Sequence, residues 1–168
     1  KRRALWLGIN LLTAFLGAWV IGRFEDTIQQ LVALAILMPV VAGMGGIAGS
    51  QTLTIAIRGI ALGHIAKTNI KPLLIKELSI GILNGIFWSS VVAIVVIAWF
   101  GQFSLGIIIG ASMMINLIIA ALAGATIPII LKHYGIDPAI AGGVILTTVT
   151  DVVGFITFLG LATIFLIG

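Results

Sequence analysis

The sequence of 168 residues contains no cysteine. A disulfide framework and a thiolate site are therefore both excluded. The chain also lacks the usual patterns of catalysis. It has no Ser/His/Asp set, no paired carboxylates and no His-x-x-x-His on any apolar run. We therefore expect a protein that is not an enzyme.

Charged residues are scarce. They make up 8% of the chain, whereas 61% is hydrophobic and the mean hydropathy is +1.30. These values lie far outside the range of soluble domains. The pI near 10.0 would suit a nucleic-acid ligand, but the basic residues lie between apolar runs instead of clustering on a solvated face. We therefore expect a lipid bilayer around the chain and no nucleic acid as a partner.

The apolar runs are long enough to cross a bilayer as helices. They predict an all-α integral membrane protein with a single transmembrane domain over residues 1–168. Every Lys and Arg except Arg23 falls on one side of the predicted bundle, and basic residues favour the cytoplasmic side. We expect Lys1 and Lys67 in the cytoplasm, Gly168 outside, and a multi-pass protein of the cell (plasma or inner) membrane. Five spans are predicted, at about 4–22, 28–57, 77–100, 105–131 and 138–166.

The second apolar run contains residues that disfavour a regular helix. Pro39 removes a backbone hydrogen bond, and several glycines follow it closely. The pattern predicts a proline/glycine-broken second helix, whose irregular backbone would be buried in protein or line a watery cavity. Small residues at four-residue spacing, such as Gly45 and Gly49, are equally typical of helix packing. Packing alone, and packing combined with pore lining, are therefore both open readings.

A carboxylate lies deep in the fifth span. Asp137-Pro138 has the sequence of a helix start, with Asp as N-cap and Pro at the first helical position. A helix from Pro138 reaches Asp151 after about 20 Å, which is mid-membrane. We take Asp151 as the only acid within any span and as a functional residue, the alternative being a hydrogen bond that packs two helices. Helical spacing places four further residues on its face: Gly143, Thr147, Thr150 and Gly154.

The chemistry of this face suits a hydrated divalent cation. Magnesium dehydrates reluctantly and usually keeps several waters, held by one or two carboxylates. Asp151 with Thr147 and Thr150 would suit such an ion if a second copy supplied a facing carboxylate, since a divalent cation removes the repulsion between two acids. We therefore expect a homodimer with the pore on its two-fold axis. A monovalent-ion or proton pathway is an alternative.

Several motifs of the chain resemble the membrane domain of the MgtE magnesium channels. The resemblance covers essentially the whole chain, and its long proline-glycine motif is far more specific than a GxxxG. The residues that carry it are Leu11 to Phe15, Phe24-Glu25, Met38 to Gln51, Lys76-Glu77, Gly81, Asn84, Gly85 and Thr147 to Gly154.

The resemblance implies a protomer of five helices, a homodimer, and a magnesium pore lined by the second and fifth helices. Asp151 would be the carboxylate of the ion site, so that Mg²⁺ is both the transported ion and an ion bound in the pore. Family members usually carry cytoplasmic regulatory domains before the first helix, and we expect such a domain to be missing from this chain.

One residue departs from the family pattern. Ile47 stands where the pattern has an asparagine whose amide could line the narrow part of the pore. A magnesium–sodium exchanger, another divalent-cation transporter and a non-transporting assembly module are the alternatives to a channel. We expect the pore to be lined by Gly45, Gly46, Ile47, Gly49, Ser50, Gly143 and Gly154.

Overall fold

The computed structural model describes residues 2–65 and 69–167, all of them in helices or short connections. Lys1, Lys67 and Gly168, whose sides of the membrane are predicted above, lie outside the described residues. The helices are α1 (Arg2–Gly22), α2 (Glu25–Gln30), α3 (Ala33–Ala61), α4 (Ile70–Phe100), α5 (Phe103–His133) and α6 (Pro138–Ala162), followed by a π-helical turn at Thr163–Ile167.

Five of the helices in the described part of the chain are long and apolar enough to cross a membrane. The predicted all-α membrane bundle is thereby confirmed. The spans are Ala4–Gly22, Ala33–Ala61, Ile70–Phe100, Phe103–His133 and Pro138–Leu166. α5 is the central helix because it packs against α3, α4 and α6 and is the most buried of the five, whereas α1 packs mainly on α6.

The predicted break in the second span is wrong in its position. α3 runs without interruption from Ala33 to Ala61 with Pro39 inside it, and the chain leaves helical geometry earlier, at Leu31 (φ −138°, ψ 88°) between α2 and α3. Pro39 is exposed on the outer face of the bundle. A single proline is tolerated in a membrane helix when local adjustments satisfy the freed backbone groups. The second span is therefore a short helix followed by one long helix.

Glycines allow the central helices to approach each other closely. A Cβ atom added at Gly124 of α5 would lie 2.6 Å from the carbonyl oxygen of Gly49 on α3 and 2.9 Å from Thr52 Cβ. A Cβ at Gly81 of α4 would lie 3.0 Å from the Ala121 side chain on α5. These contacts hold α3 and α4 against α5 at backbone distance, which leaves the opposite face of α3 open beside α6.

Sharp reversals join the spans. Gly101 ends α4 in the left-handed region (φ 67°), which only glycine adopts without strain, and its N–H donates to the carbonyl of Ile97 at 2.9 Å. Asp137 begins α6 as predicted, since its carboxylate accepts a hydrogen bond from the Ala139 N–H at 2.9 Å and Pro138 follows it. The N-cap therefore fixes the register in which Asp151 enters the bundle.

Candidate cation site

A cavity of about 760 Å³ lies between α3 and α6, and we call it the Asp151 cavity. Two of its residues come from α6 and the rest from α3. On α3 they recur at intervals of three and four positions, which is the spacing of one helical face. The lining residues are Ala42, Gly43, Gly46, Ile47, Ser50, Gln51, Thr54, Ile55, Thr147 and Asp151.

Among residues 2–65 and 69–167, Asp151 is the only charged residue that lines this cavity. Its side chain is half-buried, and its carboxylate accepts no hydrogen bond from residues 2–65 or 69–167. A carboxylate at membrane depth that has neither a counter-ion nor a donor is unfavourable unless a cation or a proton reaches it. The cavity therefore favours a positively charged occupant.

Three hydroxyl groups that line the cavity donate hydrogen bonds to backbone carbonyl oxygens. Ser50 donates to the carbonyl of Gly46 at 2.7 Å, and Thr54 donates to the carbonyl of Ser50 at 2.8 Å. Thr147 donates to the carbonyl of Gly143 at 3.0 Å. A hydroxyl whose proton is used in this way offers only lone pairs to the cavity. Such oxygens accept hydrogen bonds from the waters around a cation.

The backbone of α3 is also accessible from the cavity. Added Cβ atoms at Gly43 and Gly46 would meet no atom within 4 Å. The two glycines therefore leave room beside the helix where a larger side chain would fill the space. A hydrated ion, or the same face of a second protein copy, could approach α3 closely there.

The predicted site residues separate into three groups. Asp151, Thr147, Gly46, Ile47 and Ser50 lie together on the Asp151 cavity. Gly143 borders a different cavity, of about 580 Å³, which it shares with Trp6 and with Thr147. The other four predicted residues are buried between helices, where the structure places Gly45, Gly49, Thr150 and Gly154.

Asn116 of α5 explains the burial of two of these glycines. Its amide is fully buried, and its Nδ2 donates to the carbonyl of Val41 on α3 at 2.9 Å. A Cβ added at Gly154 of α6 would lie 2.8 Å from that nitrogen, and a Cβ at Gly45 of α3 would clash with the same amide. Asn116 therefore contacts both helices that line the Asp151 cavity. Its Oδ1 is buried without a hydrogen-bond partner in the described part of the chain.

Sequence reasoning did not name Ala42, Gly43 and Ile55 as lining residues. They extend the lining face of α3 together with Gln51 and Thr54, and the three- and four-residue spacing from Ile47 and Ser50 is the signal that finds them. The expectation of one acid in the spans is also wrong. Glu77 lies inside α4, which begins at Ile70 and not at Glu77, and its side chain is only 5% exposed.

The described residues contain no group of three or more His, Cys, Asp or Glu side chains that could hold a metal ion. One protomer therefore offers the Asp151 cavity a single carboxylate and several neutral oxygens. This set suits an ion that keeps most of its own waters better than one that needs a full cage of protein ligands.

Proteins similar to this chain are also described as transporters of divalent cations. The family model MgtE, described as a divalent cation transporter, matches residues 38–161. The chain is 39% identical over 165 residues to the magnesium transporter MgtE of Bacillus subtilis. These residues are 98% of this chain and 37% of that protein.

Two further relatives carry the same name. The MgtE of Enterococcus faecalis is 30% identical over 166 residues, which are 99% of this chain and 37% of that protein. The MgtE of Thermus thermophilus is 30% identical over 164 residues, which are 98% of this chain and 36% of that protein. The chain thus spans little more than a third of the length of these relatives.

Proposed function

Because this chain belongs to the MgtE family of divalent cation transporters, we propose that it carries Mg²⁺ across the membrane through a channel whose ion site is Asp151. The observation that carries the proposal is the Asp151 carboxylate, which is the only charge that the described residues bring to a cavity between two membrane-spanning helices. The relatives are named as magnesium transporters, and this chemistry fits the same ion.

The ion passes the site with its water shell largely intact. Removing water from Mg²⁺ is slow and unfavourable, whereas a carboxylate can bind the ion's waters from outside. Asp151 supplies the negative charge, and the oxygens of Ser50, Thr54 and Thr147 accept hydrogen bonds from the outward-pointing water protons. Selection then depends on charge and on the size of the hydrated ion.

The pore is formed by two copies of the chain, related by a two-fold axis. The Asp151 cavity is open on the side away from the bundle, and Gly43 and Gly46 leave the α3 backbone accessible there. A second copy would close the groove and bring a second Asp151 across the axis. Two carboxylates repel each other in a low-dielectric site, and a divalent cation between them removes that repulsion more fully than a monovalent one.

The membrane orientation follows the basic residues. Arg58, Lys71, Lys76 and Lys132 belong to connections or helix ends on the same side of the bundle as the N-terminus, and that side faces the cytoplasm. The relatives are longer than this chain, and a cytoplasmic regulatory domain elsewhere in the protein would control the pore from this side.

The test is Mg²⁺ influx into liposomes that hold the purified protein. We expect an influx driven by the Mg²⁺ gradient alone, which does not need sodium. An influx that saturates and requires an opposing sodium gradient would contradict the channel and favour a magnesium–sodium exchanger. Liposomes that stay impermeable to every cation would contradict transport and favour an assembly module.

A further inference from the structure

Glu77 is a second buried acid in the membrane-spanning part of the chain. It lies on α4, and its side chain is 5% exposed. The hydroxyl of Thr52 on α3 donates to Glu77 Oε2 at 3.3 Å. No Lys, Arg or His nitrogen lies within 4.0 Å of this carboxylate among residues 2–65 and 69–167. One long hydrogen bond compensates a buried negative charge only in part.

The carboxylate borders a cavity of its own, which we call the Glu77 cavity. Its volume is about 350 Å³, and polar side chains from α3, from α4 and from the connection between them lie around it. Glu77 and Thr52 are its buried polar residues, and the remaining polar side chains are exposed. The polar lining residues are Thr52, His64, Asn69, Lys76 and Glu77.

The Glu77 cavity lies next to the Asp151 cavity along α3. Ile55 borders both, and the α3 residues of the Glu77 cavity extend one turn further toward Arg58. Arg58 belongs to the end of the bundle that the basic residues assign to the cytoplasm. Glu77 is therefore positioned between the mid-membrane acid and the expected cytoplasmic surface.

We propose that Glu77 is the carboxylate of a second cation site, which receives a divalent cation from the Asp151 cavity on its way to the cytoplasm. This inference rests on the proposed function, since it assumes that a cation passes Asp151. The expected ligand is a hydrated divalent cation, because the cavity offers one carboxylate, one hydroxyl, one imidazole and one side-chain amide, and such an ion keeps several waters.

Lys76 sets the affinity of this site. The residue lines the same cavity and its side chain is exposed, so a cation bound at Glu77 would be repelled by the positive charge of Lys76. A site on a conduction path must bind an ion weakly enough to release it. The lysine thus makes the Glu77 site a weak one, suited to release, and its removal should strengthen binding.

The experiment measures Mn²⁺ binding to the purified protein in detergent, with the electron paramagnetic resonance signal of free Mn²⁺ as the readout. We expect Glu77→Gln to weaken Mn²⁺ binding at one class of sites about tenfold or more, as changes around a metal site commonly do. Mn²⁺ binding at the other class, which Asp151→Asn removes, should be unchanged in Glu77→Gln. Lys76→Gln should tighten the Glu77 class severalfold. Asp137→Asn is the matched control, because it changes an exposed acid and keeps the N-cap of α6.

Two results would overturn the proposal. One is a folded Glu77→Gln protein that binds Mn²⁺ as the wild type does. The other is unchanged binding in Lys76→Gln, which alters only an exposed side chain and so decides the matter even if Glu77→Gln fails to fold. Failure of the proposed function gives a different result from failure of the Glu77 site. If Asp151 is not the ion site, Asp151→Asn binds Mn²⁺ and carries Mg²⁺ as the wild type does. The Glu77 and Lys76 variants would still change Mn²⁺ binding.

Discussion

At the scale of single residues, Asn116 connects the two walls of the Asp151 cavity. Its amide is wedged between Gly45 of α3 and Gly154 of α6 and donates to the Val41 carbonyl. The hydrogen bond and the close fit together fix the distance between α3 and α6. Its Oδ1 has no hydrogen-bond partner in the part of the chain that the structure describes, so the Nδ2 hydrogen bond and the close packing are what hold the side chain in place.

Replacing this amide should destabilise the bundle. Asn116→Ala removes the hydrogen bond to Val41 and leaves a cavity at the centre of three helices, so we expect the free energy of unfolding to fall by about 1–3 kcal/mol. Thermal unfolding in detergent measures the change. Asn84→Ala is the control, because Asn84 is exposed on α4. Equal melting temperatures for the two variants would show that Asn116 does not stabilise the packing of α3, α5 and α6.

At the scale of helices, α3 has two faces with different tasks. One face carries Gly49 and Thr52 against α5, and the other carries Gly43, Gly46 and Ser50 along the Asp151 cavity. The glycines on these two faces look alike in the sequence. Only their neighbours distinguish a glycine that permits close helix packing from one that leaves space for an ion.

This difference can be measured with a pair of alanine substitutions. Gly124→Ala places a methyl group 2.6 Å from the Gly49 carbonyl oxygen, which is backbone and cannot move aside. We expect α3 and α5 to separate, with a loss of about 1–3 kcal/mol in unfolding free energy. Gly46→Ala meets no atom within 4 Å and should fold like the wild type. Thermal unfolding that ranks Gly46→Ala as the more damaging change would contradict this account of α3.

The helices also show what could be predicted from the sequence and what could not. Five spans could be predicted because each is an apolar run of sufficient length, and the start of α6 could be predicted because Asp137 and Pro138 act locally. The effect of Pro39 could not, since its tolerance depends on the surroundings of the helix. The burial of Glu77 was missed because it depends on where α4 begins and on Thr52, which is distant in sequence.

The same distinction applies to the candidate site. The depth of Asp151 follows from counting along a helix, and Thr147 follows from the four-residue spacing. Gly46 and Thr147 line the cavity, whereas Gly45 and Thr150 are buried between helices. Which residue of each pair reaches the cavity depends on the neighbouring helix that it faces. That information lies in the packing of α5 against α3 and α6, for which periodicity in one helix gives no signal.

At the scale of the whole molecule, we expect the five spans to place the two ends of the chain on opposite sides of the membrane. The chain has no cysteine, so single cysteines can be introduced without a background. We expect cysteines at Leu62, after α3, and at Gln102, between α4 and α5, to be labelled from opposite faces, with Leu62 cytoplasmic. Membrane-impermeant maleimide on intact cells makes the distinction. Labelling of both positions from outside would contradict the five-span topology.

In the proposed mechanism, every cation crosses the membrane through the Asp151 cavity. Asp151→Asn keeps the size of the side chain and removes its charge, so the protein should fold and assemble as the wild type does. Thr147→Val is the milder companion change, because a hydroxyl that contacts a hydrated ion contributes on the order of 1 kcal/mol. Asp151→Asn therefore tests the effect of losing the charge, and Thr147→Val tests the effect of a small change in the cavity lining.

The most direct measurement is Mg²⁺ influx into liposomes that contain equal amounts of wild-type protein, Asp151→Asn or Thr147→Val. We expect Asp151→Asn to lose nearly all Mg²⁺ influx and to discriminate less against monovalent cations, and Thr147→Val to keep most of its influx. If Asp151→Asn carries Mg²⁺ as fast as the wild type, the carboxylate serves only helix packing and the ion crosses the membrane elsewhere.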